Sequence, residues 1–412
     1  MRVLIVNTNE RTGGAAIAAN RLVDALNRHG VKAKMMVAHK QSDDLCVVPV
    51  GTPVGNRLRK AWERVVIWVN NLLSRRNLFA VSIANTGFDI TKTREFQEAD
   101  VIHLHWVNQG LLSLRGISRI LQSGKPVVWT MHDMWPLTAI CHHAHECNRF
   151  ATSCERCPFL RVPCSHDLSH RVFRRKQRVL QGRQLQFVAV SEWLAGKARQ
   201  SALIGRQPIT VIPNSLMLSR FKLLDRTVAR RSLGLVHSRV VAFGAARIDD
   251  PIKGFGYLLE ALRLVAEHGQ VPQTELHLLL FGELRNRELL AQVPAAYTYL
   301  GYVSSEDELS EIYSAADVVV SSSLYETFGQ TLIEAMACGC VPVSFEGSGQ
   351  ADIIRHRQNG YLARRLDAVS LADGIEWAMT CGLDRKRLRK EVVSRFSDEV
   401  VAQQYVKLYE EL

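Results

Sequence analysis

The 412-residue sequence has no apolar run approaching the roughly 18 residues needed to cross a bilayer. It also lacks a charged opening followed by a long apolar stretch, so no signal peptide is expected. Together these absences point to a cytosolic chain, with contact to a membrane surface left open. Cysteine is scarce: nine residues in this length are too few for a disulfide scaffold, and cytosolic thiols stay reduced. Low-complexity tracts and repeats of fixed period are absent as well. Acid is short relative to base, 40 Asp plus Glu against 52 Lys plus Arg, for a formal charge of +12. Anionic partners follow: a nucleotide, a nucleic acid or an acidic lipid surface. An apolar content of 47% excludes disorder as the main state, and the length argues for two or more domains.

What is present is an alternation of short apolar runs with helical patterns, the mark of a parallel sheet covered by helices on both faces. In the first half the expected strands are 3–6, 34–38, 101–105, 127–131 and 187–190. Helical periodicity fills 15–29, 111–121 and 191–201. A second series follows at 240–244, 276–281, 297–302, 318–321, 341–344 and 361–363. Two Rossmann-like halves in tandem are the economical reading. The domains expected are 1–205, 206–390 and a last helical segment, 391–412, that packs back on the first.

Three segments suit anions. Gly13-Gly14 follows the first strand and opens a helix, where a glycine backbone permits close approach and the helix N-terminus favours negative charge. The full G-x-G-x-x-G fingerprint is missing, so a tight turn without a ligand is the alternative. Arg247 and Lys253-Gly254 follow the strand ending at Gly244, where an open α/β sheet places its ligand crevice. Two cations there suit a diphosphate. Glu326 and Glu334 stand eight positions apart around Gly329, one in a loop and one inside the next helix. Such a pair can accept hydrogen bonds from two sets of hydroxyls on one extended ligand.

The segment Glu326 to Glu334 resembles the E-x7-E motif of retaining nucleotide-sugar glycosyltransferases of the GT-B fold, family 4, also called glycosyl transferases group 1. The resemblance spans nearly the whole chain through Gly13-Gly14, His132-Asp133, Val190-Ser191, Ile212-Pro213-Asn214, Arg247, Lys253-Gly254 and the Glu pair. It implies two Rossmann-like domains facing each other across a cleft. It further implies that Arg247 and Lys253 hold the donor diphosphate, Glu334 the ribose, and Glu326 the transferred sugar. His132 would face that sugar, and Gly13, Gly14, Asn214, Phe328, Gly329, Gln330 and Thr331 would complete the donor site. The implied reaction retains configuration by a front-face route, without a covalent nucleophile or a catalytic metal. The family pattern has its Arg and Lys five apart; here they are six apart, with Pro251 between them. The expected reaction is transfer of a hexose from a UDP- or GDP-sugar to a lipid-linked oligosaccharide in cell-surface polysaccharide assembly. A GT-B epimerase or phosphorylase is a second enzyme reading.

Cys141, Cys147, Cys154 and Cys157 have the spacing C-x5-C-x6-C-x2-C. Four thiolates so spaced suit a closed, structural zinc site, with disulfides or unpaired thiols as alternatives. Similar cysteines occur in the exopolysaccharide, colanic-acid-type branch of the family. Between Arg57 and Arg76, Leu58, Trp62, Val65, Val69, Leu72 and Leu73 share a helical face among six arginines and lysines. That helix suits an anionic membrane interface on the inner face of the cell membrane. The alternative is a helix packed on the first sheet with solvated arginines. A zinc-containing nucleic-acid binder is the reading of a different class. It is not preferred, and nucleic acid is not an expected partner, because the site residues lie at strand ends where a nucleotide sugar belongs.

Overall fold

The structure, a computed structural model, describes residues 1–235 and 239–412. The chain divides into two compact units, Met1–Pro213 with Ala402–Leu412, and Asn214–Val401.

The first unit opens with β1 (Arg2–Asn9), α1 (Gly14–Arg28), β2 (Lys32–His39), β3 (Val47–Pro49) and α2 (Pro53–Asn70). It continues through α3 (Arg94–Glu98), β4 (Val101–Leu104), α4 (Leu114–Leu121) and β5 (Val127–Met131). After the cysteine loop come α5 (Leu168–Leu180), β6 (Gln186–Ala189), α6 (Glu192–Arg199) and β7 (Ile209–Val211). All seven strands are parallel, in the order β3-β2-β1-β4-β5-β6-β7. Helices on both faces account for strands that read as unbroken apolar runs: Val3 to Val6 are all buried.

The second unit holds α7 (Arg226–Ser232), β8 (Arg239–Arg247), α8 (Phe255–His268), β9 (Leu276–Glu283) and β10 (Ala296–Tyr299). Then follow α9 (Glu306–Ala315), β11 (Val318–Ser321), α10 (Gln330–Ala337), β12 (Val341–Phe345) and β13 (Tyr361–Ala363). Three helices close the chain: α11 (Ala368–Thr380), α12 (Arg385–Phe396) and α13 (Asp398–Glu410). Its six strands are also parallel, in the order β10-β9-β8-β11-β12-β13.

Several boundaries differ from the sequence reading, each for a local reason. The units divide at Pro213, not at residue 205, because β7 completes the first sheet by pairing with β6. Residues 391–401 stay with the second unit, since Leu388, Val392 and Phe396 of α12 are buried there. Only from Ala402 does the chain belong to the first unit, where Tyr405 and Tyr409 of α13 reach the side chains of β4 and β5. The expected helix 111–121 starts at Leu114, because the Ser113 hydroxyl accepts from the Gly116 amide as an N-cap. The expected helix through Arg76 ends at Asn70, and Leu72 and Leu73 turn with φ of 50° and 59°.

Candidate active site

In the second sheet the strand order reverses at β8: β9 and β10 lie to one side and β11, β12 and β13 to the other. Loops leaving the carboxyl ends of β8 and β11 therefore meet at the position where an open α/β sheet places its ligand. They are bound by Leu324 N donating to Ile252 O at 2.8 Å and Ser322 Oγ donating to Lys253 O at 3.1 Å. Gly254 makes this approach possible. Its φ is +64°, and a Cβ there would lie 2.1 Å from the Ser322 carbonyl oxygen.

The consequence is a contact between residues 73 apart in sequence: Lys253 Nζ lies 2.8 Å from Glu326 Oε2. The Glu326 carboxylate raises the Lys253 ammonium above its ordinary pKa, outweighing burial, which acts the other way. Gly329, at φ 109°, then turns the chain into α10. Gln330 and Thr331 form the first turn of that helix, where free backbone amides favour an anion. Gln330 Nε2 is buried without a hydrogen-bond partner. Glu334 lies one turn further on and is buried.

Other expected donor residues are placed differently. Arg247 ends β8 beyond a bulge after Gly244, and its guanidinium pairs within its own loop, 2.7 Å from Asp250 and 3.8 Å from Asp249. Arg247 thus pairs with neighbouring aspartates, and Lys253 with Glu326. Phe328 is a core residue, packed edge-on against Phe396 with ring centroids 5.9 Å apart. Asn214 opens the second unit and is half-buried.

The remaining candidates belong to the first unit. Gly13, at φ 92°, caps α1, and Gly14 is its first residue. Beneath this turn the Glu10 carboxylate accepts from the Gln41 and Ser42 amides and the Ser42 hydroxyl. Burial opposes its ionisation, yet these bonds hold Glu10 below its ordinary pKa. His132 follows β5 and its Nε2 lies 2.8 Å from His105 Nδ1, with the two rings stacked. On β4, His103 sits between Tyr409 Oη at 2.7 Å and Thr130 Oγ1 at 2.8 Å. Burial pushes His132 down to about 4, against the pull of Asp133, and His103 down to about 3. Asp133 accepts from Trp106 Nε1 at 2.7 Å and lies 2.6 Å from His142 Nδ1. Sequence reasoning missed His105 and Trp106 as neighbours of the His-Asp pair. The His103-Leu104-His105 spacing at the end of the apolar run was the visible signal for His105.

Among the described residues no three His, Cys, Asp or Glu side chains are set as a metal-holding group, and the nine cysteines are free thiols. Cys141, Cys147, Cys154 and Cys157 nevertheless line one cavity of about 20 Å³, room for a water-sized occupant. Burial pushes the Cys154 thiol up to about 11, Cys157 to about 12, and Cys141 higher still. Beside them the buried Lys176 donates to the Trp135 and Thr138 carbonyls.

Known proteins resemble the chain in both halves. The profile described as Glycosyltransferase Family 4 matches residues 12–220, half of the chain, and that described as Glycosyl transferases group 1 matches 225–394. An uncharacterized glycosyltransferase of Methanocaldococcus jannaschii is 29% identical over 188 residues, 44% of this chain and 47% of that protein. A D-inositol 3-phosphate glycosyltransferase of Pseudarthrobacter chlorophenolicus is 32% identical over 176 residues, 41% of either chain. The chain thus spans about half the length, or less, of the curated relatives it matches. Among solved structures, Anabaena HepE in complex with UDP and glucose superposes with a TM-score of 0.65 at 17% identity, covering 100% of both chains. Sucrose-phosphate synthase from Thermosynechococcus elongatus gives 0.68 at 19%, over 100% of this chain and 98% of that one. These likenesses show the fold, two parallel-sheet α/β domains of the GT-B type. With its first half matched by the family 4 profile and its second by that of group 1, the chain belongs to glycosyltransferase family 4.

Proposed function

We propose that the protein transfers a hexose, with retention of configuration, from a UDP- or GDP-sugar to a lipid-linked oligosaccharide acceptor. The observation that carries the reading is the Lys253–Glu326 pair at the sheet's point of reversal, beside the N-terminus of α10. Without a donor the two charges satisfy one another. A bound diphosphate would take the Lys253 ammonium and leave the Glu326 carboxylate to accept from sugar hydroxyls. Lys253 then offsets the charge growing on the leaving nucleotide, which requires no metal. Glu334 serves the ribose, and the α10 amides with Gln330 and Thr331 serve the phosphates. Burial keeps His132 of the first unit neutral at pH 7, suited to hydrogen-bonding a hydroxyl and not to pairing with a phosphate. HepE, crystallised with UDP and glucose, supports the donor class.

The lipid-linked acceptor and a place on the inner face of the cell membrane, in exopolysaccharide assembly, complete the proposal. A phosphatidyl-myo-inositol mannosyltransferase of Mycobacterium leprae, 28% identical over 229 residues, is a relative whose name includes a lipid acceptor. A structural zinc held by Cys141, Cys147, Cys154 and Cys157 belongs to the same proposal. It would bind four side chains that share one cavity and would order the loop, without an open position for chemistry. The test offers UDP- and GDP-hexoses with lipid-linked oligosaccharide acceptors and follows release of the nucleoside diphosphate. Acceptor-dependent release from at least one donor is expected, and none from any donor contradicts the reading.

A further inference from the structure

We propose that a cavity at the amino ends of β1 and β2 binds a small phosphorylated polyol, its phosphate on Lys32 and Lys34 and its hydroxyls on Glu95 and Glu98. A parallel strand covered on both faces is apolar throughout. The opening of β2 departs from that pattern. Lys32 and Lys34 are exposed, whereas Ala33 and Met35 are buried. Alternate residues of a strand leave the same face, so both lysines project from one side of the sheet. Their register partners on β1 are Arg2 and Leu4, which leave that side too. Neighbouring strands lie about 4.8 Å apart, so positive charge is crowded onto adjacent positions, where like charges repel. Neither lysine has a carboxylate within ion-pair distance among the described residues.

The space beside them is a cavity of about 360 Å³, within the roughly 300–1,000 Å³ of small-molecule sites. Arg2, Lys32 and Lys34 line it from the strands and Glu95 and Glu98 from α3, with apolar surface from the buried Leu4 and Ala99. Arg2 is already engaged: its backbone amide donates to Asp100 at 2.7 Å, and its guanidinium lies 4.0 Å from Glu98. The lysine ammonium groups keep their donors for an anion. Glu98 accepts from Arg94 at 2.6 Å, yet a carboxylate has acceptor sites to spare, and Glu95 adds its own. Cations on one wall and carboxylates on the other select an anion that also carries hydroxyls. A bare phosphate would leave the acids unmatched, and a neutral sugar the lysines. Sugar phosphates and nucleoside monophosphates share the chemistry required. The cavity is separate from Gly13-Gly14 and His132, which follow the carboxyl ends of β1 and β5. Half-buried Cys46 lines it as well, its Sγ 3.8 Å from Asn27 Nδ2, and supplies a reporter.

The inference does not rest on glycosyl transfer, and its test reads the cavity itself. Alkylation of Cys46 in the full chain is followed by peptide mass spectrometry with glucose 6-phosphate, uridine monophosphate or inorganic phosphate present. At least one of the two esters should slow Cys46 by about threefold or more once its concentration passes about twice Kd. The exposed Cys164 should be unaffected, and inorganic phosphate should protect Cys46 less than the ester does. Protection by one ester alone identifies the source of the ligand, and protection by both assigns recognition to the shared phosphate and hydroxyls. A Lys32→Glu, Lys34→Glu variant should melt no lower than wild type, because it relieves the crowding beside Arg2, and should lose the protection. Lys34→Gln, a milder change, should weaken it. Protection by neither ester overturns the proposal, as does protection that both variants retain or that inorganic phosphate gives equally well.

Discussion

Lys253 and Glu326 are each roughly a quarter exposed, so their mutual attraction contributes at most about 1 kcal/mol to stability. Their arrangement serves charge placement more than folding. The histidines of the first unit behave in the opposite way, because their cost lies in folding. His103 and His132 have pKa values lowered by burial to about 3 and about 4, and His105 is lowered as well. Below pH 6.5 the unfolded chain takes up protons that the folded chain refuses. Stability is therefore fully present above that pH and is lost as the pH falls toward 4, by roughly 1.4 kcal/mol per pH unit for each such histidine. Melting followed by circular dichroism should show the midpoint dropping steeply between pH 6.5 and pH 4.5. A flat midpoint over that interval would mean that these imidazoles are charged in the native state.

At the scale of elements, two loops and one turn decide the site. The loop after β8 reaches that after β11 only because Gly254 lacks a Cβ. Gly254→Ala should cost more than about 1 kcal/mol, from the contact with the Ser322 carbonyl and from the left-handed backbone. Urea unfolding would measure it, and an unchanged midpoint would remove Gly254 as the hinge of the site. For the cysteine loop the expected outcome is about one equivalent of zinc in protein purified without chelator, and a lowered melting temperature once the metal is stripped. Metal-free protein with the same melting temperature would leave the loop to its hydrogen bonds alone. The sequence made the helical face of residues 58–73 legible but not its direction. Periodicity shows which residues share a face, and only the hydrogen bonds of Glu63, Arg64 and Asn56 show which face is inward. The edge strands β3 and β7, three residues each and largely not buried, carried too little of an apolar pattern, whereas the equally short β13, with two of three residues buried, was readable.

Across the whole molecule, the alternation of strands and helices made both parallel sheets readable, since strands covered on both faces must be apolar throughout. The meeting of Lys253 with Glu326 was not readable from spacing, because it depends on β11 lying beside β8. The resemblance to family 4 supplied that pairing of roles, and the topology supplies its geometry. Of the excess positive charge, Arg247 and Lys253 lie in the second unit and the bases around α2 in the first, with a remainder that has no assigned task. The central claim, that the second unit holds a nucleotide sugar through Lys253, is tested most directly by donor-dependent thermal stabilisation of wild type and Lys253→Ala. At least one UDP- or GDP-hexose should raise the wild-type melting temperature, with about 2.7 kcal/mol gained at a hundredfold excess over Kd. The variant should melt near the wild type without donor and lose most of that gain. Equal stabilisation of both proteins, or of neither by any donor, would contradict the assignment.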